Sequence, residues 1–476
     1  MPSVPPRPRR CGPPASLVLG LVASAAAGTP ALLASGPDSW LDAYRDPVSK
    51  LVSAATADQA AWQRLAVLTD TFGHRLSGSP GLEGAIAWAV AEMKKDGLDN
   101  VRAEPVMVPR WVRGRESLEL IDPVVRPLAM LGLGGSIGTP REGVVADAIV
   151  VSSFNDLESR ARDAAGRIVV YNVPFTDYGQ TVQYRAYGPS RAARLGAVAA
   201  VVRSVGPMGL RTPHTGSFSY APDGAKIPAA AISAEDANQL QRMQDRGERI
   251  RLKLTMEAQA LADAPSANVI GEVVGRERPE EVAVLGCHFD SWDVGTGAVD
   301  DGGGCVAVWE AARLITQVGL RPRRTLRVVL FTNEENGLRG GLAYRDRHRD
   351  SLPNHVMMLE ADLGFFPPLA FGYSGPDAGR ARVEDIAALL SGLGVGPVNA
   401  SGSGADIGPS VQAGNLPSLS FNGDAKPYFL IHHTQADTID RVDPQDLARA
   451  TAAIAVMGFV VADMPERLGS AEAASR

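Results

Sequence analysis

Leu285-Gly286-Cys287-His288-Phe289-Asp290 and Ala298-Val299-Asp300-Asp301-Gly302-Gly303-Gly304 are the two stretches that decide how this chain is read. The first closes an apolar run, Val282 to Gly286, that predicts a buried strand. The second opens an amphipathic helix from Gly303 to Ile315. Working outward, strands are expected at Ala267 to Val274, Thr325 to Phe331, Val356 to Glu360 and Ser418 to Phe421. They alternate with helices at Gly340 to Arg347, Ala381 to Leu393 and Pro444 to Met464, the last with Asp443 as its cap and Pro444 in its first turn. This alternation predicts an α/β fold, an open mixed sheet flanked by helices, with ligands bound beyond the carboxyl ends of its strands.

The chemistry-bearing residues fall at those strand ends. They are His288 and Asp290, then Asp300, then Glu334 and Glu335 in Phe331-Thr332-Asn333-Glu334-Glu335, Asp362 in Glu360-Ala361-Asp362, and His433 in His432-His433-Thr434. Imidazole nitrogens and carboxylate oxygens in this number suit a pair of divalent cations, two Zn²⁺ per chain. His288 and Asp362 are assigned to one ion, Glu335 and His433 to the other, and Asp300 to both, a bridging water completing four ligands on each. Two dications against three carboxylates and a hydroxide is neutral. Asp290 is placed to accept the other N–H of the His288 ring through its carboxylate, and Glu334 is left as general base. Singly, each piece has a plainer reading: a loop His-x-Asp, a Gly-rich helix start, a solvated Glu pair. Five of them in order after successive strands favour the metal site. His74, His214, His348, His355 and His432 are read as bystanders, and Cys287 and Cys305 as small core residues.

The 476-residue chain has 47 Lys and Arg against 53 Asp and Glu, a net charge of −6, with 45% hydrophobic and 21% charged residues. That balance excludes disorder and a polytopic membrane protein. Mild acidity, with no basic run after residue 15 longer than Arg321-Pro322-Arg323-Arg324, argues against a nucleic-acid partner. Residues 1–35 read as a signal peptide: Arg7, Arg9 and Arg10 precede the apolar run Ala15 to Ala27, which is shorter than the roughly 20 residues of a spanning helix. A secreted or periplasmic protein is expected, with no stable membrane insertion after cleavage. Two cysteines beyond the leader predict no disulfide framework. Residues 36–117 and 255–466 are expected to form the main domain, 118–254 an inserted β-rich domain, and 467–476 a tail.

At His288-Phe289-Asp290-Ser291-Trp292-Asp293-Val294-Gly295, Gly297 to Gly304, Thr332 to Glu335, and His432-His433 with Asp437-Thr438, the sequence resembles the di-zinc exopeptidases, a family that includes bacterial leucyl aminopeptidases and a carboxypeptidase branch. The likeness runs through nearly all of the chain after residue 45, and the insert resembles a protease-associated domain. The resemblance implies zinc at His288, Asp300, Glu335, Asp362 and His433, a base at Glu334, a cis bond between Asp300 and Asp301, a peptide substrate, a homodimer and export. Asp406 and Tyr428 are offered as residues shaping the substrate pocket. Amidohydrolase-like carboxypeptidases use a similar ligand order but insert their second domain between the fourth and fifth ligands. Here the insert precedes His288. A non-catalytic ectodomain on the same scaffold is expected to have lost part of the ligand set, and none is lost here.

Overall fold

In the computed structural model the described residues are 40–469, so the leader expected at 1–35 and most of the tail expected at 467–476 lie outside them. The first long strand, β1 (Asp99–Val112), follows the helix Pro80–Lys95, whose start is set by Ser79: its Oγ accepts the Leu82 N–H at 3.2 Å. Pro80 in the first turn and Lys94 and Lys95 in the last fit the helix's donor-rich and acceptor-rich ends.

From β1 the chain leaves for a second sheet, built from β2 (Glu116–Asp122), β3 (Arg126–Leu128), β4 (Met130–Gly132), β5 (Val144–Val151), β6 (Ile168–Tyr171), β7 (Ala199–Arg203), β8 (Ala229–Ile232) and β9 (Arg251–Met256). It returns through β10 (Gln259–Val273), β11 (Arg278–His288), β12 (Arg324–Phe331), β13 (His355–Leu363), β14 (Ala370–Ser374) and β15 (Ser418–Asn422). The main sheet has the order β1-β10-β12-β11-β13-β15-β14. Its central strands β12, β11, β13 and β15 are parallel, and β1, β10 and β14 run antiparallel at the edges.

Parallel strands covered on both faces should be apolar throughout, and β11 is buried without interruption from Glu281 to His288. One face meets the helices Gly303–Gln317 and Pro444–Asp463. On the other, Val284, Val329 and Met358 pack with Tyr344, Leu352 and Ile407. The helix Pro444–Asp463 is long and apolar enough to cross a membrane, but its apolar stretch is mostly buried, as a core helix should be. Its cap is Asp443, which accepts the Gln445 N–H at 2.7 Å.

The second sheet has the order β3-β2-β9-β5-β6-β7-β8-β4 and carries helices that the sequence expectation did not place. Strands β5 to β8 are parallel, and helices Tyr178–Arg194 and Ala234–Asp245 accompany them. The longer helix holds Gly179, Gly188 and Pro189, residues that read as turns. Gly188 is there because the Tyr171 ring lies against its backbone, with the Tyr171 hydroxyl donating to its carbonyl at 2.8 Å. A further correction concerns the cysteines. Cys287 at the end of β11 and Cys305 in the first turn of the next helix form a disulfide, their Cα atoms 5.1 Å apart. The strand-to-helix crossover closes a separation of 18 residues that spacing alone leaves open.

Candidate metal centre

The parallel strands deliver their carboxyl ends to one edge. His288 is the last residue of β11, Glu334 and Glu335 follow β12, Asp362 sits at the end of β13, and His433 follows the short helix Ala425–Ile431 after β15. Asp300 comes from the turn before helix Gly303–Gln317, where the Asp300–Asp301 peptide bond is cis, as the resemblance implied. The ring nitrogens and carboxylates converge. His288 Nε2 is 3.1 Å from Asp362 Oδ1 and 3.2 Å from Asp300 Oδ1. His433 Nε2 is 3.1 Å from Glu335 Oε2 and 3.3 Å from Asp300 Oδ2. Asp300 thus stands between two pairs, one oxygen toward each.

These contacts have the spacing of ligands around a shared ion. A tetrahedral zinc with bonds of roughly 2.0–2.1 Å holds neighbouring ligand atoms roughly 3.3 Å apart. The ring tautomers agree: His288 Nδ1 faces the Asp290 carbonyl at 3.0 Å and His433 Nδ1 the Thr215 carbonyl at 3.3 Å, so each can donate there and leave Nε2 as the ligand atom. Glu335 Oε1 is buried with no hydrogen-bond partner. Charge balance among the side chains points the same way. Burial, reinforced by Asp362, Asp290 and Asp300 and opposed by His288, pushes the Glu334 carboxyl up to about 8. Burial and Asp300 raise Glu335 well above the usual range, and burial raises Asp362. Burial holds His433 down at about 3, a neutral ring. So many buried carboxyls are excess negative charge that dications would offset.

The cluster opens on a cavity of about 290 Å³ whose wall includes Tyr178, Arg185, Glu334, Tyr428 and His432. A groove of about 600 Å³ meets it at Ser217 and Glu334. Tyr428 is buried on the cavity wall, which Asp300 also lines. His432, a sequence neighbour of a ligand, lines the cavity with both ring nitrogens buried and without hydrogen-bond partners.

Two sequence expectations need correction. The Asp290 carboxylate does not receive the imidazole N–H; the Asp290 backbone carbonyl does. The carboxylate instead accepts the backbone N–H groups of Glu334 at 3.0 Å and Glu335 at 3.3 Å and the Ser77 hydroxyl at 3.3 Å, fixing the loop that carries both glutamates. Asp406 is fully buried and is not on the cavity wall. It lies beside Glu360, which accepts the Asp406 and Ile407 N–H groups, and burial with the Glu360 charge raises its carboxyl well above the usual range.

Several positioning residues escaped sequence reading. Asp301 Oδ2 accepts the His288 N–H and Oδ1 the Gly304 N–H, each at 3.1 Å. Asp437 accepts the N–H groups of Val299 and Asp300. Arg75, fully buried in the Gly/Ser loop, donates to the carbonyls of Gly73, Phe289, Thr296 and Gly297, latching the segment between the first ligand and Asp300. Asn333 turns the chain at φ +68°, a conformation Asn tolerates, and its amide donates to Ser77.

Known proteins share this architecture. Residues 268–457 match Peptidase family M28. Over 431 residues the chain is 44% identical to Carboxypeptidase Q of Xenopus laevis, spanning 90% of this chain and 92% of that one. A crystal structure of a Peptidase M28 precursor from Shewanella amazonensis SB2B superposes with a TM-score of 0.87 at 34% identity, covering 90% of this chain and 99% of that one. A zinc aminopeptidase from Bacillus subtilis shares the fold, with a TM-score of 0.63 at 19% identity over 86% of this chain and 96% of that one. With the mixed sheet and the His/carboxylate cluster at its strand ends, the molecule is a metallopeptidase. The chain belongs to peptidase family M28.

Proposed function

We propose that the chain is an exported zinc exopeptidase that hydrolyses dipeptides and other short peptides with free ends, as the carboxypeptidase name of its relatives suggests. The observation that carries this reading is Asp300 set between the His288–Asp362 and His433–Glu335 pairs, with Glu334 on the wall of the same small cavity. His288 and Asp362 would hold one zinc ion, Glu335 and His433 the other, and Asp300 both. When bound, the ions supply Lewis acidity, lowering the pKa of water and polarising the peptide carbonyl.

The remaining work falls to the chain. Glu334 takes a proton as water oxygen bonds to the carbonyl carbon, and gives it to the amine nitrogen as the carbon–nitrogen bond breaks. Positive charge in the cluster lowers Glu334 from its raised value, so that it is a carboxylate when substrate arrives. Asp290 holds the Glu334 backbone in place for both transfers. The Cys287–Cys305 disulfide supports export, because disulfides persist in oxidising compartments.

The test is a set of five substrates offered to zinc-loaded enzyme: an unblocked dipeptide, its N-acylated form, its C-amidated form, an aminoacyl nitroanilide and a long peptide blocked at both ends. Turnover of the first alone is expected. Fast turnover of the nitroanilide would make it an aminopeptidase, and cleavage within a long peptide blocked at both ends would reject exopeptidase action.

A further inference from the structure

The segment between Cys287 and Cys305 carries much of what the metal cluster is built from. His288 and Asp300 stand at ligand positions, Asp301 accepts the His288 N–H, and the Asp290 carboxylate holds the loop of the two glutamates. Its two ends are rigid. Cys287 lies in β11, buried without interruption from Glu281 to His288, and Cys305 lies in a helix buried without interruption from Gly303 to Ala312. Between them, residues 289–297 belong to no helix or strand. A stretch with no regular structure of its own has more backbone freedom to give up before His288 and Asp300 can meet.

The disulfide closes this segment at its base. Both cysteines are fully buried, and the Cys305 sulfur lies 3.1 Å from the His288 carbonyl oxygen. An oxygen of the Asp301 carboxylate is within 4.8 Å of both sulfurs. The bond therefore joins the strand end that carries His288 to the helix start that follows Asp300, directly behind the two side chains. Arg75 and Asp437 hold the same segment by hydrogen bonds from outside it, whereas the disulfide ties its ends covalently. Until cations arrive, the carboxylates of Asp300, Glu335 and Asp362 repel one another and favour an open segment. A tie made before the ion binds opposes that opening and lowers the ordering cost of binding.

We propose that the Cys287–Cys305 disulfide is a positioning element of the metal centre: it presets His288 against Asp300, so that tight zinc retention requires the oxidised bond. The inference rests on the two-ion reading above and deepens it by making the state of two cysteines a condition for holding metal. A chain with both thiols free keeps the sheet and holds zinc weakly, so full activity belongs to an oxidising compartment.

The experiment compares the unsubstituted protein with Cys287→Ala/Cys305→Ala. A cross-linked peptide containing Cys287 and Cys305 in a non-reduced digest verifies the bond in the former. Zinc affinity is read by competition with a chelator well below the melting temperature of either protein, and hydrolysis of alanyl-leucine is followed at limiting and at excess zinc. The variant should hold zinc roughly ten- to a hundredfold more weakly. Its activity should be low at limiting zinc and largely recovered by excess zinc, which a general loss of structure would not allow. Cys287→Val/Cys305→Ala, which refills part of the space left by the sulfurs, should show the same loss and serves if the first variant fails to fold. Unchanged zinc affinity in a folded variant, or free thiols at both positions in protein from an oxidising compartment, would overturn the proposal. Failure of both variants to fold would overturn it too, making the bond a requirement of the fold. The unsubstituted protein tests the two-ion reading by itself: two ions tightly held keep that reading whatever the variants do, and no zinc at all rejects it together with this role for the disulfide.

Discussion

Asp437 holds Asp300 by its backbone: the Asp437 carboxylate accepts the N–H of Asp300 at 3.2 Å while its other oxygen takes the N–H of Val299 at 2.7 Å. The residue placed between both ligand pairs is therefore fixed from behind by a carboxylate delivered from the segment just after His433. Asp437→Asn puts an amide donor against one of two backbone donors. It should retain the fold and weaken zinc binding by roughly ten- to a hundredfold, read by competition with a chelator. Wild-type zinc affinity in this variant would show that Asp300 needs no such support.

Glu334 offers a different separation. It is not among the residues that pair around Asp300, yet it lines the cavity and its loop is tied to Asp290. Glu334→Gln should keep both zinc ions and the melting temperature while lowering kcat by on the order of a hundredfold or more. Full activity in this variant would mean that another group moves the proton.

The pH dependence of the metal-free protein follows from the same carboxyls. Burial is the leading cause that raises Glu334 to about 8 and Glu360 and Asp437 to about 7 in the folded chain. A carboxyl raised in the folded state contributes stability that is complete below its unfolded value and is lost as pH climbs through the folded value. Burial lowers His433 to about 3 and His214 and His355 to about 4, which gives the opposite slope, but only below their ordinary value of 6.5. Above about pH 6.5 the raised carboxyls set the slope, and His288, which against its burial is held well above its ordinary value by Asp362 and Asp300, slopes the same way. The melting temperature of chelator-treated protein should therefore fall as pH climbs through that range, and added Zn²⁺ should restore most at the alkaline end, where its ligands are deprotonated. A flat profile without zinc would contradict the excess of buried negative charge.

Much of the fold is legible in the chain because apolar runs bounded by turn residues mark it. The strand expected at Thr325 to Phe331 ends where the structure ends it, and the one expected at Ser418 to Phe421 begins where the structure begins it. Helix Tyr178–Arg194 is not legible, since Gly179, Gly188 and Pro189 break its pattern and only packing against Tyr171 explains one of them. Of the residues that converge around Asp300, His288, Glu335 and Asp362 stand out because each ends or follows a strong strand. Asp290 stands out as well, but its role depends on whether the side chain or the carbonyl turns toward the ring, and the two-residue spacing from His288 cannot say which. Arg185 and Arg75 carry no motif of their own, and Asp437, though it falls in the quoted Asp437-Thr438 stretch, has no role that spacing assigns. Their importance arises from contacts across 30 to more than 200 residues of chain, such as Arg185 to Thr215 and Arg75 to Gly297, which only the folded topology brings together.

The central claim is a two-ion site with Asp300 shared between His288–Asp362 and Glu335–His433. The most direct measurement is anomalous diffraction at the zinc edge from crystals of the zinc-loaded protein. Two peaks are expected per chain, one on each side of the Asp300 carboxylate, with the second and the first both lost in Asp300→Ala. A single peak, or two peaks of which neither contacts Asp300, would contradict the account.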